Sequence, residues 1–384
     1  MPDRPRILSI SFSEFVSDAR VLRQLGVLAD YGDVTTIGYG PKPPDASEHL
    51  QLVGEPASLP QTPAGVLMLA LHLHRKAELA APANVAALAL LADKRFDLVV
   101  ANEARALPLA HAVAHGAPVW GDMHEWAPEE RTQILSWRLL VAPLMRSICA
   151  RYLPRTEAVS TVNGSIAAMY QEQFGCEVRV VRNAIALQDL APSPVTGDRV
   201  RLVHSGSAVP GRSIERLIEA TRQLDERFTL DLFLVAARDG GRYLDELRGI
   251  AGEDDRIVFH EAVAPGDLPR TLNAYDIGVF VLPPHTANHR FMLPNKFFDF
   301  VQARLGVVFS PAIETSALIE RYDLGRVSPD FTASSLAETL QSLTADDVRR
   351  YKRNADNAAA ALSSEQDEQT QRDVIGTLLK RTVT

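Results

Sequence analysis

The sequence predicts an α/β protein made of two doubly wound domains, each a parallel sheet covered by helices, and three observations carry that reading. Short apolar runs alternate with helix-length amphipathic stretches along most of the chain, the rhythm of successive βα units. The segment 190–199, LAPSPVTGDR, is polar and carries Pro192 and Pro194; it reads as a linker, after which the rhythm starts again. At 384 residues the chain also exceeds what one core usually serves. The expected division is 1–192, 193–363 and a helical tail over 364–384.

In the first domain the spacing predicts strands at 6–11, 34–38, 97–101, 118–122, 158–162 and 178–181. Some of these runs, such as FDLVVA, are almost wholly apolar, as strands covered on both faces are. Between them, 18–31 has helical periodicity and stops at Gly32, and 64–92 reads as one or two helices. Residues 107–115, 129–151 and 165–174 complete the set. In the second domain strands are expected at 200–204, 229–235, 257–259, 277–281 and 307–309. Helices are expected at 214–224, 242–250 and 268–274, and from Pro294 to a stop at Leu305-Gly306.

Composition narrows the function. A hydrophobic share of 46% and a charged share of 23% suit a globular protein. The net charge of -8 opposes a nucleic-acid binder, which would show a basic domain. Two cysteines, Cys149 and Cys176, form neither a disulfide framework nor a zinc pattern. With an N-terminus that runs straight into a strand, they predict a cytoplasmic protein. Elbow, zincin and kinase motifs are absent from the sequence.

The most telling stretch is 289–311, HRFMLPNKFFDFVQARLGVVFSP. A helix start exposes unpaired N–H groups and a positive dipole end, which hold phosphate. Lys296 lies in that first turn, and Asp299 three residues on can accept ribose hydroxyls; an ordinary solvent ion pair between them is the alternative. A second turn, Ser205-Gly206-Ser207-Ala208-Val209-Pro210-Gly211-Arg212, joins a strand to a helix. Its small residues admit a ligand, and Arg212 can clamp a diphosphate. In the first domain His124 follows a strand in GDMHEWAP and can hydrogen-bond a sugar, unless it is a structural histidine capped by Asp122. Glu103, Ser11 and Ser13 end neighbouring strands and are acceptor-side candidates, with a solvated role the alternative for Glu103. Arg131, Arg138 and Arg146 share one face if 129–151 is a continuous helix. From Arg131 to Arg155 there is no acidic residue, so this region also admits peripheral contact with an anionic membrane.

Together these stretches resemble the family 4 glycosyltransferases over nearly the whole chain. SDARVLRQLGVLADYGDVTTIG, VVANEARALPLAHAVAHGAPVWGDMHEWAPEE, AVSTVNGSIAAMY with VRVVRNAI, LVHSGSAVPGRSIERLIEA and LPNKFFDFVQARLGVVFSP carry the resemblance, the last being the most specific. It implies the GT-B fold, two Rossmann-like domains facing a central cleft, the first for the acceptor and the second for the donor. It also implies transfer of a sugar with retention, without a metal and without a cofactor, from a UDP- or GDP-linked donor. The acceptor would be a sugar, polysaccharide or lipid-linked hydroxyl. By motif position, Asp299 would bind the donor ribose; Arg212, Lys296 and the amides around Asn295, with the Gly206-Ser207 turn, the diphosphate. Ala262 and Val263 would meet the base through their backbone, and His124 the donor sugar. Two positions differ from many members: Ser207 replaces a basic residue and Phe291 a glutamate. A nucleotide-sugar 2-epimerase of similar fold acting on UDP-GlcNAc, and a non-catalytic nucleotide-sugar-binding homologue, are the alternatives.

Overall fold

The computed structural model describes residues 4–382 apart from Asp198, Arg238 and Asp239; Asp198 of the expected linker thus lies outside the described residues. The chain divides into two compact units. One comprises residues up to Arg182, Thr286–Asn288 and residues from Asp367 on; the other comprises Asn183–His285 and His289–Gln366. Residues 183–192 therefore group with the second unit, and most of the terminal helix with the first.

The first unit holds seven parallel strands: β1 (Arg6–Glu14), β2 (Asp33–Tyr39), β3 (Glu48–Gln51), β4 (Leu98–Asn102), β5 (Val119–Met123), β6 (Ala158–Thr161) and β7 (Val178–Val180). Their order is β3-β2-β1-β4-β5-β6-β7. Growth of the sheet reverses at β1, which pairs with β2 on one side and β4 on the other. The carboxyl ends of strands at such a reversal leave a crevice where ligands bind. The strands form because β4 and β5 are buried at every residue, which apolar, β-branched side chains favour. Asp18 starts the helix Ala19–Tyr31 by accepting from the Val21 amide at 3.2 Å, the usual N-cap contact. The final helix, Glu365–Thr382, buries Val374, Ile375 and Leu378 against Ile7, Leu25 and Leu28.

The second unit repeats the design with six parallel strands: β8 (Val200–Ala208), β9 (Phe228–Ala236), β10 (Ile257–His260), β11 (Ile277–Phe280), β12 (Gly306–Phe309) and β13 (Gly325–Val327), in the order β10-β9-β8-β11-β12-β13. The reversal falls between β8 and β11. The helix Asn295–Gln302 buries Phe297, Phe298, Phe300 and Val301, so its apolar face fixes its polar first turn above the sheet. Gly278 makes this packing possible, since a Cβ there would stand 2.2 Å from the Phe300 ring.

Several elements differ from expectation. Residues 129–151 are not one helix: a π-helical turn Trp137–Val141 precedes the α-helix Ala142–Tyr152. Pro143 has no N–H to offer the carbonyl four residues back, and a wider turn there accommodates the loss. Arg131, Arg138 and Arg146 therefore do not share one helix face. Three short helices, Pro63–Ala70, His74–Ala77 and Pro82–Leu91, occupy 64–92. Pro294 is the N-cap rather than the first helical residue. The helix stop comes from Arg304 at φ +62, not from Gly306. Its guanidinium compensates the strained backbone by donating to the Gln302 and Gln188 carbonyls at 2.8 and 2.7 Å and to Asp356 at 2.7 Å.

Candidate active site

In the second unit the chain at the end of β8 bends through Gly206, whose φ is +139. A Cβ at this position would lie 3.3 Å from the Lys296 Nζ, so glycine is what allows the ammonium to rest against the backbone. The same ammonium sits 4.5 Å from the centre of the Phe280 ring, at the end of β11, a cation–π contact. His204 stacks in parallel with Phe280 at 6.0 Å, and its Nδ1–H donates to the Val279 carbonyl at 2.9 Å. Burial, then the nearby Lys296 charge, push the His204 pKa down to about 3, so His204 is neutral at pH 7.

Lys296 is itself shifted. Burial and then the Arg212 charge push its pKa down to about 7, against the opposite pull of Asp299. Among the described residues, no carboxylate lies within 4.0 Å of Lys296 or Arg212. Arg212 is exposed on a turn whose Gly211 and Ser213 have φ of +87 and +56. The solvent ion pair between Lys296 and Asp299 is thus not formed. Asn295 is exposed in the first turn, its Oδ1 accepting from the Asn183 side chain at 2.6 Å. Asp299 is half-buried one turn on. Two cations, a helix start and a glycine turn converge here, an arrangement fit for phosphate. Ala262 is exposed and Val263 half-buried just past β10, while Ser207 is half-buried. Phe291 carries the Arg290 guanidinium 5.4 Å from its ring centre.

In the first unit His124 follows β5. Its Nε2 lies 3.5 Å from Asp122 Oδ2 and 3.4 Å from Asn102 Oδ1, and its Nδ1 lies 3.9 Å from Glu103 Oε1. Burial lowers the His124 pKa, but Asp122 outweighs it and the net shift is upward. Asp122 is buried yet stays charged. Burial would raise its pKa, and the Arg20 guanidinium more than reverses this, leaving it well below the usual carboxylate range. Arg20 reaches it twice, at 2.9 and 2.7 Å, Ser160 donates at 2.6 Å and Gln24 at 3.2 Å. His124 therefore has the structural tie to Asp122 while its side chain remains 15% exposed.

Glu103 is not a lone solvated carboxylate. It pairs with Arg105, which also lies 3.8 Å from Glu130. Its backbone adopts φ +70, unusual for a residue other than glycine. Sequence reasoning did not see that Glu125 and Glu130 join Glu103. Glu125 is pushed up to about 7 by burial and by the Glu130 and Glu103 charges. Ser11 and Ser13 have their hydroxyls 2.8 Å apart, and Ser13 donates to the helix-capping Asp18 at 3.0 Å; Ser11 is only 2% exposed. The importance of Arg20, Arg105 and Phe280 was also missed. Only Arg20, a cation on the otherwise apolar face of the helix Ala19–Tyr31, left a sequence signal.

The family model described as Glycosyltransferase Family 4 matches residues 28–189. No curated protein matches the chain significantly. Among solved structures, HepE of Anabaena in complex with UDP and glucose is similar with TM-score 0.65 and 17% identity, over 98% of this chain and 100% of that one. Sucrose-phosphate synthase of Thermosynechococcus elongatus is similar with TM-score 0.72 and 16% identity, again over 98% and 100%. An E. coli trehalose-6-phosphate protein bound with UDP-2-fluoro glucose gives TM-score 0.66 and 12% identity over 97% and 99%. At these identities the likeness speaks to fold, and it extends over both units. Residues 28–189 thus match the family 4 glycosyltransferase model, and both units carry the GT-B fold of these solved structures.

Proposed function

We propose that the protein transfers a hexose, with retention of anomeric configuration, from a nucleoside-diphosphate sugar to a hydroxyl acceptor, in glycan, polysaccharide or glycolipid biosynthesis. The observation that carries this is the Lys296 ammonium held against Gly206 and over Phe280 with no carboxylate partner among the described residues. A cation kept partly dry, with Asp299 acting on it only from beyond 4.0 Å, is stabilised when an anion arrives. A diphosphate brings that anion, and the departing phosphate oxygen gains most from cations fixed in advance. Arg212 and the amides of the first turn, Asn295 onward, complete the cradle; Gly206 and Ser207 give it a close backbone wall. Asp299 accepts the ribose hydroxyls, and the Ala262-Val263 backbone takes the base. His124, held by Asp122, is assigned to the transferred sugar, with Glu103, Ser11 and Ser13 on the acceptor side. UDP-linked sugars are the first donors to try, because HepE is described in complex with UDP-glucose. The fixed cations let the reaction proceed without a metal, and the setting is the cytoplasm.

Calorimetric titration with UDP and GDP, followed by transfer assays with their sugars, tests this. The expected result is nucleotide binding, and a product whose anomeric proton shows the donor's configuration. Inversion would overturn the retaining assignment, and no binding of either nucleotide would overturn the donor site.

A second reading draws on the carboxylates Glu103, Glu125 and Glu130, the acids that a nucleotide-sugar 2-epimerase needs. It expects solvent deuterium in the sugar ring of recovered UDP-GlcNAc. Transfer without such exchange would eliminate it.

A further inference from the structure

The helix Pro63–Ala70, PAGVLMLA, has no charged side chain and buries only Gly65 and Leu69. A helix apolar on every side ordinarily lies inside a protein, yet Leu67 and Leu71 are each 59% exposed. It packs on the π-helical turn Trp137–Val141, and that turn and the residues before it show the same anomaly: Ile134, Leu135 and Leu139 are 47%, 58% and 57% exposed. Two neighbouring segments of the first unit thus present aliphatic side chains outward, far more than scattered exposure explains.

Charge says what covers this face. The exposed Arg75 and Lys76 follow the apolar helix, and the exposed Arg131, Arg138 and Arg146 flank and follow the second segment. No acidic residue occurs over 56–77 or over 131–155, although the chain carries a net charge of -8. Aliphatic side chains with cations close by in the chain, of which Arg131 also lies 3.4 Å from Glu130, match the interface of an anionic bilayer, where tails receive leucines and headgroups receive arginines. A second copy of this chain would bring the same cations face to face in a symmetric contact, which repels. Among the described residues no helix is long and apolar enough to cross a membrane.

We infer that the surface formed by the helix Pro63–Ala70 and residues 131–141 docks on anionic lipid. The inference is independent of the donor site. Trp137 supplies a built-in probe, because Trp120 and Trp126 are buried at 0% and 2% exposure and Trp137 is half-buried within the surface. The test is sedimentation of the full chain with phosphatidylcholine vesicles, with and without phosphatidylglycerol, while tryptophan emission is followed. The expected result is binding and a blue shift that require phosphatidylglycerol. Leu67→Asp with Leu135→Asp should weaken the partition at least about tenfold, and so should Arg131→Glu with Arg138→Glu. Both variants replace exposed residues and should keep the parent melting temperature. Failure to bind anionic vesicles, equal binding to neutral ones, or variants that bind like the parent would overturn the inference. So would concentration-dependent self-association that the leucine variant abolishes.

Discussion

The two sheets reverse at equivalent places, between β1 and β4 in one unit and between β8 and β11 in the other, but they treat charge in opposite ways. At the first reversal charges have partners: Arg20 with Asp122, Arg105 with Glu103, His124 beside Asp122. At the second, Lys296 and Arg212 have no carboxylate within 4.0 Å among the described residues, Asp299 acting on Lys296 only from farther off, and the Lys296 pKa is pushed down to about 7. One crevice is wired in advance. In the other, two cations act on each other, the Arg212 charge lowering the Lys296 pKa. The same topology thus separates a region that holds a histidine in place from one that gathers positive charge.

The contrast breaks most visibly at Asp122. Asp122→Ala leaves Arg20 buried and uncompensated, a loss expected to cost about 3–5 kcal/mol, read as a fall in the denaturant midpoint. Lys296→Ala should behave in the opposite sense. Transfer should fall about a hundredfold, the usual effect of losing one fixed donor at a developing charge, while the melting temperature holds or rises. The sign follows from the depressed pKa. The folded state disfavours the ammonium, so this residue costs stability fully below pH 7, and the cost fades as pH rises towards the unfolded value of 10.5. A Lys296→Ala protein that melts earlier than its parent at pH 6 would show that the ammonium is structural. Gly206→Ala comes next. A Cβ at φ +139 brings about 1–3 kcal/mol of strain and meets the Lys296 tip at 3.3 Å. About a tenfold rise in the nucleotide Kd is expected, with Asp122 and His124 undisturbed.

These two crevices were not equally legible in the sequence. The second was readable because its parts are local. A proline-started helix with Lys296 and Asp299, and a glycine turn before Arg212, have spacings that report geometry directly. The first depends on distant partners. Arg20 and Asp122 are 102 positions apart, and Arg105 reaches Glu130, 25 positions on, as well as its neighbour Glu103. Phe280 stayed hidden for a related reason: IGVF reads as an ordinary buried strand, and its role under the ammonium comes from the neighbouring helix. The alternation of strands and helices was plain, since covered parallel strands are uniformly apolar. The break at Trp137–Val141 was not, because Pro143 permits several local outcomes and the surrounding packing selects one.

The smallest effect is the most specific to the Lys296 charge. If a diphosphate takes up the position beside Lys296, its charge must raise the ammonium pKa above the free value of about 7. Binding above that pH then requires a proton to be taken up, and affinity falls as pH rises. For one such group the Kd should increase about fivefold between pH 7 and pH 8. Below pH 6 this contribution disappears, because the free protein already carries the proton. Calorimetry in two buffers of different ionisation enthalpy reads the uptake directly. Lys296→Met should abolish it, whereas Arg212→Ala should weaken binding and move the uptake to higher pH, since losing that charge lets the free ammonium pKa rise. Equal proton uptake in the parent and the Lys296→Met protein would move the titrating group elsewhere, with His124 the next to replace. The comparison between the crevices would then have to be redrawn, with the anion-responsive charge in the unit whose charges are already paired.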